Sequence, residues 1–329
     1  MKDNYFSLVG EKINPLSDIQ NAGGPLTTGS VLFVKDPSDS DYTTVKDQIG
    51  RNNLFDTIPA AVAAARNDKN DWVVVCPKDS GAAWEIGTQL LLNKNRLHFV
   101  SLGYVQGLHG YENTIRGFGT TGLGVAASTN NVLNVTGSAT EIAGFRFLGT
   151  HGTSADGTIQ AIANFAAPNV YIHDSVIETN VAAAASTGTV AIVGGNGFRA
   201  DNVWFGNSVG IGATKVANSV TRPRFNDCTF IVNAEAVGNQ FFIAGTGAVE
   251  YVLVENSKFI NRNSGTLVAS AVTGSVTTLN PWLLRSNTYV NVTQAGTDPT
   301  VFKSPVASGT SAAVRDYGIA VGTAALTPV

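Results

Sequence analysis

The chain has 329 residues, 14% of them charged and 43% hydrophobic, with 35 glycines and a formal net charge of −3. That length is ample for one large core, and a single elongated unit needs no division into several domains. The charged share is far below the roughly 25% of ordinary soluble domains, which suits a surface packed against neighbours, and the acidic balance excludes a basic nucleic-acid footprint.

In chain order, residues 1–50 read as an N-terminal arm. Met1 to Ser7 carry no apolar h-region, so no secretory signal is expected. Gly23-Gly24-Pro25 marks a turn, Val31 to Val34 a strand, and Asp36 to Asp41 a polar run. Leu54 to Arg66 is Ala-rich and predicts a helix, capped by Asp56 or Thr57 with Pro59 in its first turn. Three strands follow, at Asp71 to Pro77, Thr88 to Leu92 and Leu97 to Gly103. A helix leading into such strands can close the open end of a stack that must not expose a raw β edge. The apolar runs are too short to cross a membrane.

From residue 144 a short phrase recurs six times. It reads Gly144-Phe145-Arg146-Phe147, Asp174-Ser175-Val176-Ile177, Asp201-Asn202-Val203-Trp204, Asp227-Cys228-Thr229-Phe230, Asn256-Ser257-Lys258-Phe259 and Ser286-Asn287-Thr288-Tyr289. The final residues stand 30, 27, 26, 29 and 30 positions apart. A period in this range means a solenoid of stacked units. The units consist of strands: Val, Ile, Phe and Thr runs are separated by Gly, Asn, Ser and Thr, and no long 3.6-residue period follows Gly117. The predicted fold is all-β, one turn of a parallel β-helix per repeat. Phe147, Ile177, Trp204, Phe230, Phe259 and Tyr289 are expected to form an internal ladder, and Asn202, Asn256 and Asp227 to hydrogen-bond along a corner ladder. A β-sandwich explains the strands but not the period.

The order of the Ala-rich helix, Val73-Val74-Val75-Cys76-Pro77, Leu90-Leu91-Leu92-Asn93-Lys94-Asn95 and Phe99-Val100-Ser101-Leu102-Gly103 resembles the opening of pectin-lyase-like right-handed parallel β-helix proteins. The resemblance covers roughly residues 50–290. It implies a β-helix over 51–294 with an N-terminal cap helix, and a C-terminal Ala/Gly/Thr-rich arm or cap over 295–329. That fold carries lyases, hydrolases, adhesins and viral structural proteins alike. In this fold, lyases use an Arg or Lys base with Asp-bound Ca²⁺, whereas hydrolases need paired carboxylates.

Candidates for such chemistry are sparse. Asp174, Asp201 and Asp227 recur at near-equivalent places and could bind a cation or flank a glycosidic bond, but an Asp, Asn and Ser ladder also arises from turn capping alone. His173 and Asp174 are adjacent, and neighbours on one strand point to opposite faces, so they are not expected to act as a dyad. His98, His109 and His151 show no metal spacing. Arg222, Arg224, Lys258, Arg262 and Arg285 are read as solvated charges, though a lyase base could be among them. Cys76 and Cys228 are read as small apolar core residues. Gly117 to Gly122 matches a dinucleotide fingerprint by letter but lacks its βαβ context, and the sequons at Asn134 and Asn291 carry no information alone. Of the four tryptophans, Trp204 and Trp282 fall in core-like positions.

A low-charge β-helix with terminal arms and no export signal resembles the virion proteins of tailed bacteriophages, foremost capsid decoration or head-associated proteins. That resemblance implies a non-enzymatic structural protein of the capsid surface, trimeric, with the major capsid protein or other virion proteins as partners. It implies no catalytic residue, cofactor, metal, nucleic acid or membrane. The alternatives are a tailspike-type polysaccharide depolymerase or lyase, and a glycan-binding adhesin.

Overall fold

The repeat period becomes a stack of parallel rungs. The computed structural model describes residues 29–50, 52–86, 89–102, 113–119, 132–151, 163–179, 190–192, 195–206, 214–216, 220–233, 241–244, 251–262, 268–274, 283–296 and 320–321. The described strands fall into two parallel sheets, of 17 and 8 strands. Two helices are described, Tyr42–Ile49 and Ile58–Ala64. The protein is an all-β right-handed parallel β-helix. No described helix is long and apolar enough to cross a membrane.

Registers show how like residues stack. The three-residue steps starting at Val31, Trp72, His98, Glu141, Tyr171, Arg199, Arg224, Leu253 and Leu283 lie one above the next. Their middle residues point inward, and Val73, Phe99, Ile142, Ile172, Ala200, Phe225 and Val254 are fully buried. After each later step one residue turns the chain with positive φ: Gly144 (79°), Asp174 (48°), Asn202 (53°), Asp227 (51°), Asn256 (53°) and Ser286 (57°). Glycine, Asn and Asp adopt this left-handed conformation at least cost, and they supply five of these six turning residues, with Ser286 the sixth.

Beyond that corner, Phe147, Ile177, Phe205, Phe230, Phe259 and Tyr289 stand in register and are buried. The rings of the last four stack at centroid distances of 5.1, 4.9 and 5.2 Å. Each buried Phe contributes about 1.5–3 kcal/mol from removal of its surface from water. Trp204 is a correction. It pairs with Val176 and Thr229 on the outward side and is half-buried, while Phe205 occupies the ladder. The phrase in this coil starts at Asn202, because Asn202 and not Asp201 takes the left-handed turn. In a structure of period two, one step of slip exchanges inside for outside.

The amino-terminal end also differs from expectation. Val31–Val34 pairs with Trp72–Val75, so the stack begins before residue 51. Helix Tyr42–Ile49, which the sequence reading missed, lays Val45 over Phe33, Leu54, Trp72, Val74 and Cys76 and covers the outer face of the first rungs. Helix Ile58–Ala64 is shorter than the predicted Leu54 to Arg66. Thr57 Oγ1 accepts from Ala60 N at 3.3 Å as its cap, and Leu54–Phe55 is instead a short strand beside Phe33–Val34. Lys35, fully buried, ties this end together: its Nζ lies 2.8 Å from Asp39, 3.0 Å from Asp41 and 3.3 Å from Asp79. At the other end Ala320–Val321 pairs with Tyr289–Val290; the rest of the 295–329 arm beyond Gly296 lies outside the described residues.

Candidate functional site

The covering helix leaves the outer face exposed to chemistry from the His98 rung onward. Outward positions alternate with the buried middle residue of each step, so two columns run along the stack. The first holds Trp72, His98, Glu141, Tyr171, Arg199 and Arg224, and the second holds Val74, Val100, Ala143, His173, Asp201, Asn226, Glu255 and Arg285. The first turns ionisable at His98 and apolar again at Leu253, and the second stays apolar through Ala143 and is polar or ionisable from His173 onward.

Hydrogen bonds join these columns across four rungs. His98, stacked on Trp72 with centroids 4.4 Å apart, meets Glu141 Oε2 through Nδ1 at 2.5 Å. His173 Nε2 meets Glu141 Oε1 at 3.0 Å, and His173 Nδ1 meets Asp174 Oδ2 at 2.7 Å. Asn202 Nδ2 then donates to Asp174 Oδ1 at 2.6 Å. Tyr171 lies between the His173 ring, at 4.5 Å, and the Arg199 guanidinium, at 4.8 Å, and Arg199 Nη2 pairs with Asp201 Oδ2 at 2.5 Å.

The electrostatics follow from these partners. Burial works to lower the His173 pKa, yet the hydrogen bonds to Asp174 and Glu141 outweigh it and raise it to about 9. Burial likewise pushes Glu141 up, and the two histidines outweigh it and hold the carboxyl at about 2. At neutral pH, His173 is an imidazolium donating from both nitrogens to two carboxylates. The Tyr171 hydroxyl is pushed up by burial and by the Asp201 carboxylate. Further along, buried Glu255 accepts from Arg224 at 2.6 Å and from Arg285, and these guanidinia outweigh burial and hold its carboxyl below the usual range.

The expected Asp ladder is therefore rearranged. Asp174 and Asp227 occupy the corner, whereas Asp201 is a strand residue one position earlier, in register with His173 and Asn226. Asp227 is exposed at its corner and Asp174 is buried. His173 and Asp174, expected on opposite faces, are hydrogen-bonded, because the left-handed turn at Asp174 (φ 48°) breaks strand alternation. Of the expected corner ladder, Asn202 bonds to the corner residue Asp174, whereas Asn256 Nδ2 donates at 3.0 Å to Oδ1 of the strand residue Asn226 and not to Asp227. Glu141, Tyr171 and Arg199 were missed. Each stands three residues before a corner residue, the same offset as Arg224 from Asp227, and reading that offset down the repeat would have found them.

Other expectations fall elsewhere. Cys76 and Cys228 are buried free thiols whose pKa values burial raises, Cys76 to about 12. Arg222, Arg224, Lys258, Arg262 and Arg285 are exposed. His109, Trp282 and residues 120–122 of the fingerprint stretch lie outside the described residues, and of His151 only the backbone is described. Among the described residues, Asp39, Asp41 and Asp79 gather carboxylate oxygens within 4.8 Å, a spacing that could hold a metal, and the Lys35 amine sits among them.

No protein-family model matches the chain, and no characterised protein matches it by sequence. Solved structures do resemble it. A pectate lyase superposes with a TM-score of 0.50 at 12% identity, over 94% of this chain and 79% of its own. A pectin methylesterase in complex with a hexasaccharide gives 0.47 at 12% identity, over 90% of each chain. The pectin methylesterase of Erwinia chrysanthemi gives 0.46 at 12% identity, over 92% and 91%. At such identity the pectate lyase likeness shows a shared fold, and the two lower scores carry no argument. The pectate lyase is an enzyme, which runs against the expectation of a chain without enzymatic activity, and that expectation is withdrawn.

Proposed function

We propose that this protein is a polysaccharide depolymerase of the tailspike kind, acting on the outer face between His98 and Asp201. The observation that carries this reading is the unbroken line of ionisable side chains from His98 through Glu141, His173 and Asp174. Cleavage of a glycosidic bond needs a proton donor and a carboxylate acting opposite it. His173 is protonated at neutral pH and passes a proton to a glycosidic oxygen when a bound sugar takes the place of Glu141 or Asp174 on one of its nitrogens, while Asp201 supplies a carboxylate on the adjoining rung. A rigid sheet holds these groups at the strand spacing of about 4.8 Å, which suits an extended polymer lying along the stack.

The setting we propose is a virus particle, with the protein as a homotrimer bound to capsid or other virion proteins. The charge-poor composition supports a surface made for such contacts. Peptide mass fingerprinting of purified particles tests that setting.

The activity is tested by reducing-end release from a panel of capsular and cell-wall polysaccharides. Release by the wild type, lost in His173→Gln and Asp201→Asn, is the expected result. Absence of release across the panel, or full activity in both variants, contradicts it. Ultraviolet absorbance from an unsaturated sugar end would mark a lyase and its absence a hydrolase.

A further inference from the structure

We infer that the sugar seated over the rungs from Glu141 to Asp201 is a neutral, hydroxyl-bearing unit and not a uronic acid, an inference that rests on the site proposed above. Among the described residues, three carboxylates stand on this face up to and at the corner, at Glu141, Asp174 and Asp201, while Glu178 lies beyond the corner and pairs with Arg146. Two cations face them. His173 is engaged by Glu141 and Asp174 at 3.0 and 2.7 Å, and Arg199 by Asp201 at 2.5 Å. The five groups together carry an excess of one negative charge, and a charged His98 would bring them only to neutrality.

A uronate carboxylate laid on this surface meets cations that already hold carboxylates of their own. It also lies beside three charges of its own sign, which opposes binding. Sugar hydroxyls are the complementary partner, because an ionised carboxylate accepts hydrogen bonds on several lone pairs and gains most from O–H donors. The outer face changes character only further along, where Arg224 and Arg285 share the single carboxylate of Glu255 and leave an excess of positive charge. Glu255 lies two rungs beyond Asp201, about 10 Å along the stack at the usual strand spacing. An anionic substituent is admissible there. A homopolymer of uronic acid places a carboxylate on every unit and cannot avoid the acidic rungs.

The test uses the full chain with two sets of probes: neutral homopolymers (dextran, galactan, mannan) and polyuronates (polygalacturonate, alginate). Reducing-end release and affinity gel electrophoresis are measured on each. Release from, or retardation by, at least one neutral polymer, with polyuronates poorer by about tenfold or more, is the expected result. Glu141→Gln, with folding checked by circular dichroism, should strengthen retardation by polyuronate several-fold, because it removes one negative charge and keeps the shape. Polyuronate cleaved as well as or better than neutral polymer overturns the neutral-sugar inference and leaves the depolymerase reading standing. So does unchanged polyuronate retardation in folded Glu141→Gln. No release and no retardation with either set overturns both.

Discussion

Phe259 lies on Phe230 with ring centroids 4.9 Å apart and planes 9° from parallel, in a register that also pairs Thr229 with Lys258. Equivalent residues of successive coils are thus in direct contact through the core. Phe259→Ala should destabilise the fold by about 3–5 kcal/mol, because the neighbouring rungs cannot collapse into the gap. Trp204→Ala, on the half-buried outer side, should cost less than half as much despite the larger side chain. Denaturant unfolding of the two variants checks the order.

The His173–Glu141 pair makes stability depend on pH at both ends. His173 is raised from 6.5 to about 9, so its contribution is fully present below pH 6.5 and is lost as pH rises through 9. Glu141 is lowered from 4.5 to about 2, so its contribution is present above pH 4.5 and is lost as pH falls through 2. Stability should therefore be greatest between pH 4.5 and 6.5 and fall by up to about 3 kcal/mol on the alkaline side. Thermal midpoints across this range measure it, and His173→Gln should flatten the alkaline limb.

Corner positions predict where glycine helps. Ala139 is exposed at φ 54°, in the left-handed region that an L-residue enters at a cost of about 1–2 kcal/mol. Ala139→Gly should stabilise by about 0.5–1 kcal/mol after the greater freedom of the unfolded chain is subtracted. Asn202→Ala should do the opposite, losing about 1 kcal/mol or more, since it also removes the bond to Asp174. Chemical denaturation gives both signs.

Lys35→Met should destabilise by about 3–5 kcal/mol, because it leaves Asp39, Asp41 and Asp79 facing one another without their cation. The loss should ease at acid pH, where the carboxylates protonate, and a pH series of unfolding midpoints for the variant reads this directly.

Much of the fold was legible because the repeat has a strong physical signature. Phe147, Ile177, Phe230, Phe259 and Tyr289 recur at intervals that only stacking explains. Trp204 was misplaced because Asp201 and Asn202 are both good turn residues, and nothing local says which one turns. Helix Tyr42–Ile49 was not legible because its polar stretch shows little apolar periodicity and only Val45 is buried. The site was harder to read. Glu141 and Tyr171 meet His173, and Arg199 meets Tyr171 and Asp201, only because coils of unequal length stack in register, and the offset they share shows only once the turning residue of each coil is known. Strand alternation, applied to His173 and Asp174, pointed the wrong way since a left-handed residue interrupts it.

The most direct measurement is a crystal structure with a bound oligosaccharide drawn from the polymer that the protein degrades. The account predicts sugar density along the outer face beyond helix Tyr42–Ile49, with hydroxyls on Glu141 or Asp201 and the scissile oxygen within reach of His173. Sugar bound on the opposite sheet, around Leu133–Val135 and Ala163–Phe165, with the His98 to Asp201 face empty, would contradict it.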